Sequence, residues 1–309
     1  MSEINTTVEM EIGTQPNKLS EQDAARVALT ISCRDCDELP KVNDAGQYFG
    51  QDLQFQRMHN GVQIRRGSYH GVWMSEVIKS LRGHHEPQEE KVFAEVLAQL
   101  EPESVMLELG SFWAYYSLWF QSEIQNGISI MLEPNADKIE VGKEHFDINN
   151  YEGRFIRGFV GEKSSTNAEF IDWDGSKSVI AQVSIDGLLQ ELKLEKIDIL
   201  HADVQGAEFD MLKGATDALK HNRVSYFFIS THGHQHRRCK RFLNKYGYKI
   251  IAEHSVLESY SGDGLIVARS SLVKSPQNVI ISKRKVSIFK LIRYELAGWK
   301  KMFSLIFCK

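Results

Sequence analysis

Apolar positions along the chain follow two alternating periods. Val105, Met106, Leu107 and Leu109 read as a short buried strand, and strand-like apolar runs recur at 128–132, 154–160, 197–202 and 224–230. Helical spacing fills the gaps at 137–148, 186–192, 207–220 and 235–246. Strands alternating with helices of this length imply crossover units and a mostly parallel, doubly wound α/β sheet. The alternation stops at the end. Residues 248–254 and 264–268 are both strand-like, with only nine residues between them. That is too short for a helical crossover, so these two strands should be antiparallel.

Ahead of the repeat the pattern is less regular. Residues 1–30 are polar, with one short helix expected at 20–28. Glycines and aromatics over 39–73 predict short strands and turns, followed by a helix at 74–81. An amphipathic helix then places Val92, Phe93, Val96, Leu97 and Leu100 on one face. Glu89 and Glu90 open it, where acids favour the helix dipole, and capping is their simplest role. Glu86 precedes Pro87 and falls outside the helix.

The strand at 105–109 leads through Glu108-Leu109-Gly110 into a helix. A glycine turn there lets backbone approach a ligand closely, and the helix start offers unpaired N–H groups. Glu133 ends the next strand, 25 residues after Glu108. An acid in that place can accept hydrogen bonds from both ribose hydroxyls of a nucleoside cofactor. A helix-capped turn with no ligand is the plainer alternative.

Composition narrows the class. The chain has 309 residues, 42% hydrophobic and 25% charged, which are ordinary globular values. A net charge of −4 argues against a nucleic-acid binder. The charge is uneven: residues 283–309 carry +7 and residues 1–282 carry −11. Apolar residues at helical spacing in that basic stretch predict an amphipathic helix, lying on an anionic membrane or packed on protein. Four cysteines are too few for a disulfide framework. Cys33 and Cys36 form a lone C-x-x-C, better read as two buried thiols than as a zinc or redox pair. With no secretory signal at the start and no apolar run of about 20 residues, a cytoplasmic protein is expected, with peripheral contact to the inner face of the membrane left open.

Three blocks together resemble FkbM-type S-adenosylmethionine (SAM)-dependent O-methyltransferases over roughly residues 83–269. They are Glu108-Leu109-Gly110-Ser111 through Ala114-Tyr115-Tyr116-Ser117, then Glu133-Pro134-Asn135, then Ile197-Asp198-Ile199-Leu200-His201-Ala202-Asp203-Val204-Gln205-Gly206-Ala207-Glu208 with Leu212-Lys213-Gly214-Ala215. His85-Glu86-Pro87 is similar to an upstream family element. The resemblance implies a Rossmann-like class I methyltransferase domain at 83–270, a packed extension at 1–82 and a basic tail at 271–309. It implies SAM as cofactor, held by Glu86, Glu108, Gly110, Ser111, Glu133, Pro134, Asn135 and Asp203. It also implies methylation of a hydroxyl on a sugar, polysaccharide or glycolipid. Two departures stand out: Ala114 replaces a usual glycine, and Gln205 replaces a usual acid.

Asp203 follows a central strand and His232 the neighbouring one, so the two can face one acceptor hydroxyl. A neutral His232 would take its proton while Asp203 orients it, with His236 the next candidate base. His232, His234 and His236 alternate, so an extended segment would align them with Asp203 as donors for a divalent ion. A hydrated loop capping the next helix is the alternative, and no metal is assigned. A SAM-binding but inactive scaffold and a nicotinamide-dependent oxidoreductase remain the rival functions. No nucleic-acid partner is expected, and a homo-oligomer is left open.

Overall fold

The computed structural model describes residues 19–172 and 175–287. Seven strands form the central sheet: β1 (Val105–Leu109), β2 (Ile128–Glu133), β3 (Arg154–Arg157), β4 (Ile197–Asp203), β5 (Val224–Thr231), β6 (Lys249–His254) and β7 (Gly264–Arg269). Their spatial order is β6-β7-β5-β4-β1-β2-β3. The first five run parallel. The last strand lies antiparallel to both β5 and β6, as the short connection requires. This is the class I methyltransferase arrangement expected from sequence. The chain leaves β1 toward β2 and later returns to β4 on its other side, so a topological switch point lies between β1 and β4.

All five residues of β1 are buried, which suits a central parallel strand covered on both faces. Its alternation divides two cores. Leu107 and Leu109 pack with Ile130, Leu200 and Phe227 on one face. Met106 joins Phe93, Trp119 and Phe228 on the other. Glu108 shares this second face with Met106, under the helices α3 (Pro87–Leu97) and α4 (Tyr115–Glu123).

The segment before residue 83 holds the helices α1 (Glu21–Thr30) and α2 (Val72–Ser80). Between them lies a small antiparallel sheet of Tyr48–Phe49, Phe55–Arg57 and Gln63–Arg65. Met58, Ile64 and Val77 enter the same core as Phe93 and Trp119, so one apolar mass spans the extension and the sheet. Cys33 and Cys36 are buried and free. After β7 the chain returns along β6, where Val279 N–H donates to Ile251 O at 2.8 Å, and Ser282 then bonds Asp35 through backbone and side chain. This stretch covers an edge strand that would otherwise present unpaired backbone. Among the described residues no helix is long and apolar enough to cross a membrane. The amphipathic helix expected in the basic tail lies outside the described residues.

Two expected elements are split. The run 154–160 breaks at Gly158, where an added Cβ would sit 2.8 Å from Ala181 O. Beyond it Phe159–Val160 pairs with Lys177–Val183, itself antiparallel to Ser165–Ile171, in a separate small sheet. The helix expected at 207–220 breaks at Gly214, whose Cβ would meet Gly161 O at 2.3 Å. That close passage leaves two short helices, Glu208–Lys213 and Thr216–Lys220.

Candidate active site

A cavity of about 810 Å³ opens above the C-terminal ends of β1, β2 and β4, at the switch point. Its floor is a loop whose backbone is left-handed at Gly110 (φ +70°), Phe112 (+42°) and Ala114 (+57°). A Cβ on Gly110 would lie 1.9 Å from Asp203 O. Glycine is therefore required first by the crossing of this loop over the end of β4. Ser111 contributes a buried hydroxyl with no hydrogen-bond partner among the described residues.

Glu133 closes β2 with a carboxylate that accepts from Phe112 N–H at 3.1 Å and Asn135 N–H at 3.0 Å. Each oxygen keeps a lone pair, and burial lifts the pKa of the acid. Pro134 lines the cavity beside it. Asn135 lies off the cavity wall and caps α5 (Ala136–Ile148), its side-chain oxygen accepting from Asp137 and Lys138 N–H. Glu108 reaches the cavity, but one oxygen is taken by the N–H and hydroxyl of Ser117 in the first turn of α4.

The acids opening α3 do more than favour its dipole. Glu90 is buried between His84 and His85, each ring nitrogen 2.5 Å from a carboxylate oxygen. Glu89 meets His201 Nε2 at 2.9 Å and accepts from the Ser230 hydroxyl at 3.1 Å. Glu86 turns its carboxylate to the cavity, accepts from Tyr116 OH at 3.0 Å, and lies 3.4 Å from His85 Nε2. Burial alone would favour neutral groups in both. The paired charges override it, holding His85 up at about 10 and Glu86 below the usual carboxylate range. Glu86 is a fixed anion on the cavity wall.

Asp203 stands on the same wall in a different environment. Its pKa is pushed up to about 7 by burial, with the charges of Asp263 and Glu86 adding to the effect and His232 opposing it. Gln205 Nε2 donates to Asp203 Oδ1 at 2.8 Å, a bond that an acid at 205 could make only when protonated. His232 lies behind Asp203, with Nδ1 2.6 Å from Glu208 Oε1. Its Nε2 is 3.2 Å from Asp263 Oδ1 and 3.5 Å from Asp203 Oδ1. Burial disfavours its charge, yet Asp263 and Glu208 outweigh burial and raise it to about 10. At pH 7 it is an imidazolium, not the neutral base expected from sequence.

The extended segment needed to align three histidines does not form. Gln235 N–H donates to His232 O, and the helix His236–Lys245 begins directly after. His236 turns to Thr231 Oγ1 at 3.0 Å and Glu253 at 3.6 Å, away from the cavity wall. The structure thus brings Asp203 and His232 together and leaves His236 apart.

Residues 83–250, more than half of the chain, match the family described as the methyltransferase FkbM domain. The chain belongs to that family. Its cofactor is accordingly SAM, and the nicotinamide-dependent alternative falls. No curated protein matches the chain. Several solved structures are loosely similar in fold. Precorrin-6y C5,15-methyltransferase of Geobacter metallireducens is 16% identical, covering 59% of this chain and 88% of its own, with a TM-score of 0.40. M. capricolum TrmK with S-adenosylhomocysteine (SAH) is 11% identical, covering 65% and 73%, with a TM-score of 0.40. Fibrillarin of Aeropyrum pernix with bound SAM is 16% identical, covering 58% and 74%, with a TM-score of 0.37.

The cavity of this FkbM protein fits the cofactor in its own chemistry. Glu133 offers buried acceptor lone pairs of the kind that ribose hydroxyls need, and Ser111 a buried hydroxyl with no partner among the described residues. Replacing Glu133 with alanine should weaken SAM binding about 10- to 150-fold, the equivalent of one charge-assisted hydrogen bond of about 1.5–3 kcal/mol. Calorimetry with SAH checks this, and an unchanged affinity would remove Glu133 from the site.

Sequence reasoning missed part of the wall. Tyr69 and His70, from the segment before residue 83, line the cavity, as do Phe112, Trp113 and Phe170. The signal for the first two was available in the aromatic pair bracketed by glycines at 67 and 71. Phe170 comes from the Ser165–Ile171 strand, whose short alternation of exposed and half-buried residues gives only a weak strand signal.

Proposed function

We propose that this FkbM methyltransferase methylates a hydroxyl of a sugar, polysaccharide or glycolipid, with Asp203 as the general base. The observation that carries this reading is a cavity acid whose pKa sits near 7, close to the ideal for proton abstraction at neutral pH. When bound, SAM supplies an electrophilic methyl group on a cationic sulfur. Asp203 takes the acceptor's proton as the new C–O bond forms and the C–S bond breaks. His232, held cationic by Glu208 and Asp263, steadies Asp203 and does not accept that proton. Glu86 stays ionised beside them, so the two acids have environments that push their pKa values apart, one fixed and one titratable. The +7 charge of residues 283–309 would suit an acceptor presented on an anionic membrane.

Transfer of tritiated methyl from SAM to a panel of methyl glycosides, with a catechol and a primary amine as comparison acceptors, tests the reading. Turnover of glycosides supports it; turnover of the comparison acceptors alone overturns it. With an active glycoside, kcat/KM should rise with pH as Asp203 ionises and level off above about 8, because a base with a pKa of about 7 is protonated and idle below that value. A flat profile from pH 5.5 to 8.5 would point to another base.

A further inference from the structure

The stretch Gly67-Ser68-Tyr69-His70-Gly71 lies ahead of the family match at 83–250. Gly67, His70 and Gly71 have φ of +76°, +52° and +75°, which makes the segment a tight, shaped turn. It is fastened on two sides. Gly67 N–H donates to the Ser75 hydroxyl of α2 at 3.0 Å. Arg65 pairs with Glu144 of α5, and its N–H donates to His145 Nε2 at 3.1 Å. The other nitrogen of the same imidazole lies 3.0 Å from Trp113 O. One buried histidine therefore fixes the turn and the Trp113 loop relative to each other.

On this support the Tyr69 ring stacks on Trp113 with centroids 4.4 Å apart and planes 6° from parallel, and meets Phe112 edge-on at 5.3 Å. Tyr69 and His70 both line the cavity. The Tyr69 hydroxyl has no hydrogen-bond partner among the described residues, and Tyr69 shares the cavity lining with Glu86 and Asp203. A tyrosine locked by its ring, with a hydroxyl unpartnered among the described residues and on a wall shared with Glu86 and Asp203, is built to receive a polar group from outside.

We propose that residues 65–71 form the acceptor subsite, with Tyr69 hydrogen-bonding the acceptor near Asp203 and the aromatic wall packing against the C–H face of a pyranoside ring. The inference rests on the sugar-hydroxyl reading above and adds where the sugar sits. Tyr69 is a substrate-binding residue on this view, and removing its hydroxyl costs one hydrogen bond while leaving the stacked ring in place.

Tyr69→Phe tests it in the full-length protein, using methyl glycosides as acceptors and SAH as the cofactor probe. The expected result is a KM for the glycoside raised about five- to tenfold, with SAH affinity and melting temperature unchanged. Wild-type behaviour toward glycosides would overturn the subsite alone. A parallel loss of SAH affinity would overturn it too, by placing Tyr69 on the cofactor side. Failure of the wild-type enzyme on every glycoside would instead overturn the sugar reading, and this subsite with it.

Discussion

Asparagine at position 203 is expected to slow methyl transfer by about 10²- to 10⁴-fold, the usual contribution of a general base. The substitution keeps the size of the side chain and an oxygen that can still accept from Gln205 Nε2. It removes the cavity acid whose pKa is pushed up to about 7, while Glu86 is held ionised by His85 and His201 is paired with Glu89. SAH affinity should therefore change little while the rate collapses. Single-turnover transfer together with SAH calorimetry separates the two. If the rate survives, Asp203 is not the base. If affinity falls with the rate, the acid belongs to cofactor binding. The pH profile should lose its rise near 7 in the variant, which distinguishes loss of a base from a general disturbance of the cavity.

Much of this site was legible because its parts sit at strand ends. Periodicity places Glu108, Glu133 and Asp203 at the C-terminal edges of β1, β2 and β4, and parallel topology then gathers them. The antiparallel end of the sheet followed from the length of one connection. What could not be read depends on partners far apart in sequence. Glu89 and Glu90 look like dipole acids until the fold brings His201 to one and folds His84 and His85 over the other. The protonation of His232 is of the same kind: a lone histidine after a strand is neutral at pH 7, but one enclosed by Glu208, Asp263 and Asp203 is not. The split at Gly214 was hidden for another reason. Its sequence is compatible with helix, and only the passage of Gly161 against it ends the helix there.

The second large effect concerns Gly110. Alanine there should cost about 2–5 kcal/mol of stability, from a left-handed backbone and an overlap that cannot be relieved by rotating a side chain. The obstructing atom is the backbone oxygen of Asp203, 1.9 Å from the added Cβ, so relief requires the ends of β1 and β4 to move apart. Gly206→Ala is the control, because Gly206 also has positive φ (+106°) but no atom within 4 Å of its Cβ position. A Gly110→Ala variant should melt well below Gly206→Ala, by several degrees or more. Equal melting would mean that strain alone, and not the close crossing, demands the glycine. Because the displaced backbone carries the proposed base, the rate should fall further than SAH affinity in Gly110→Ala. The same wedge that loosens the cofactor floor also shifts Asp203 away from its acceptor.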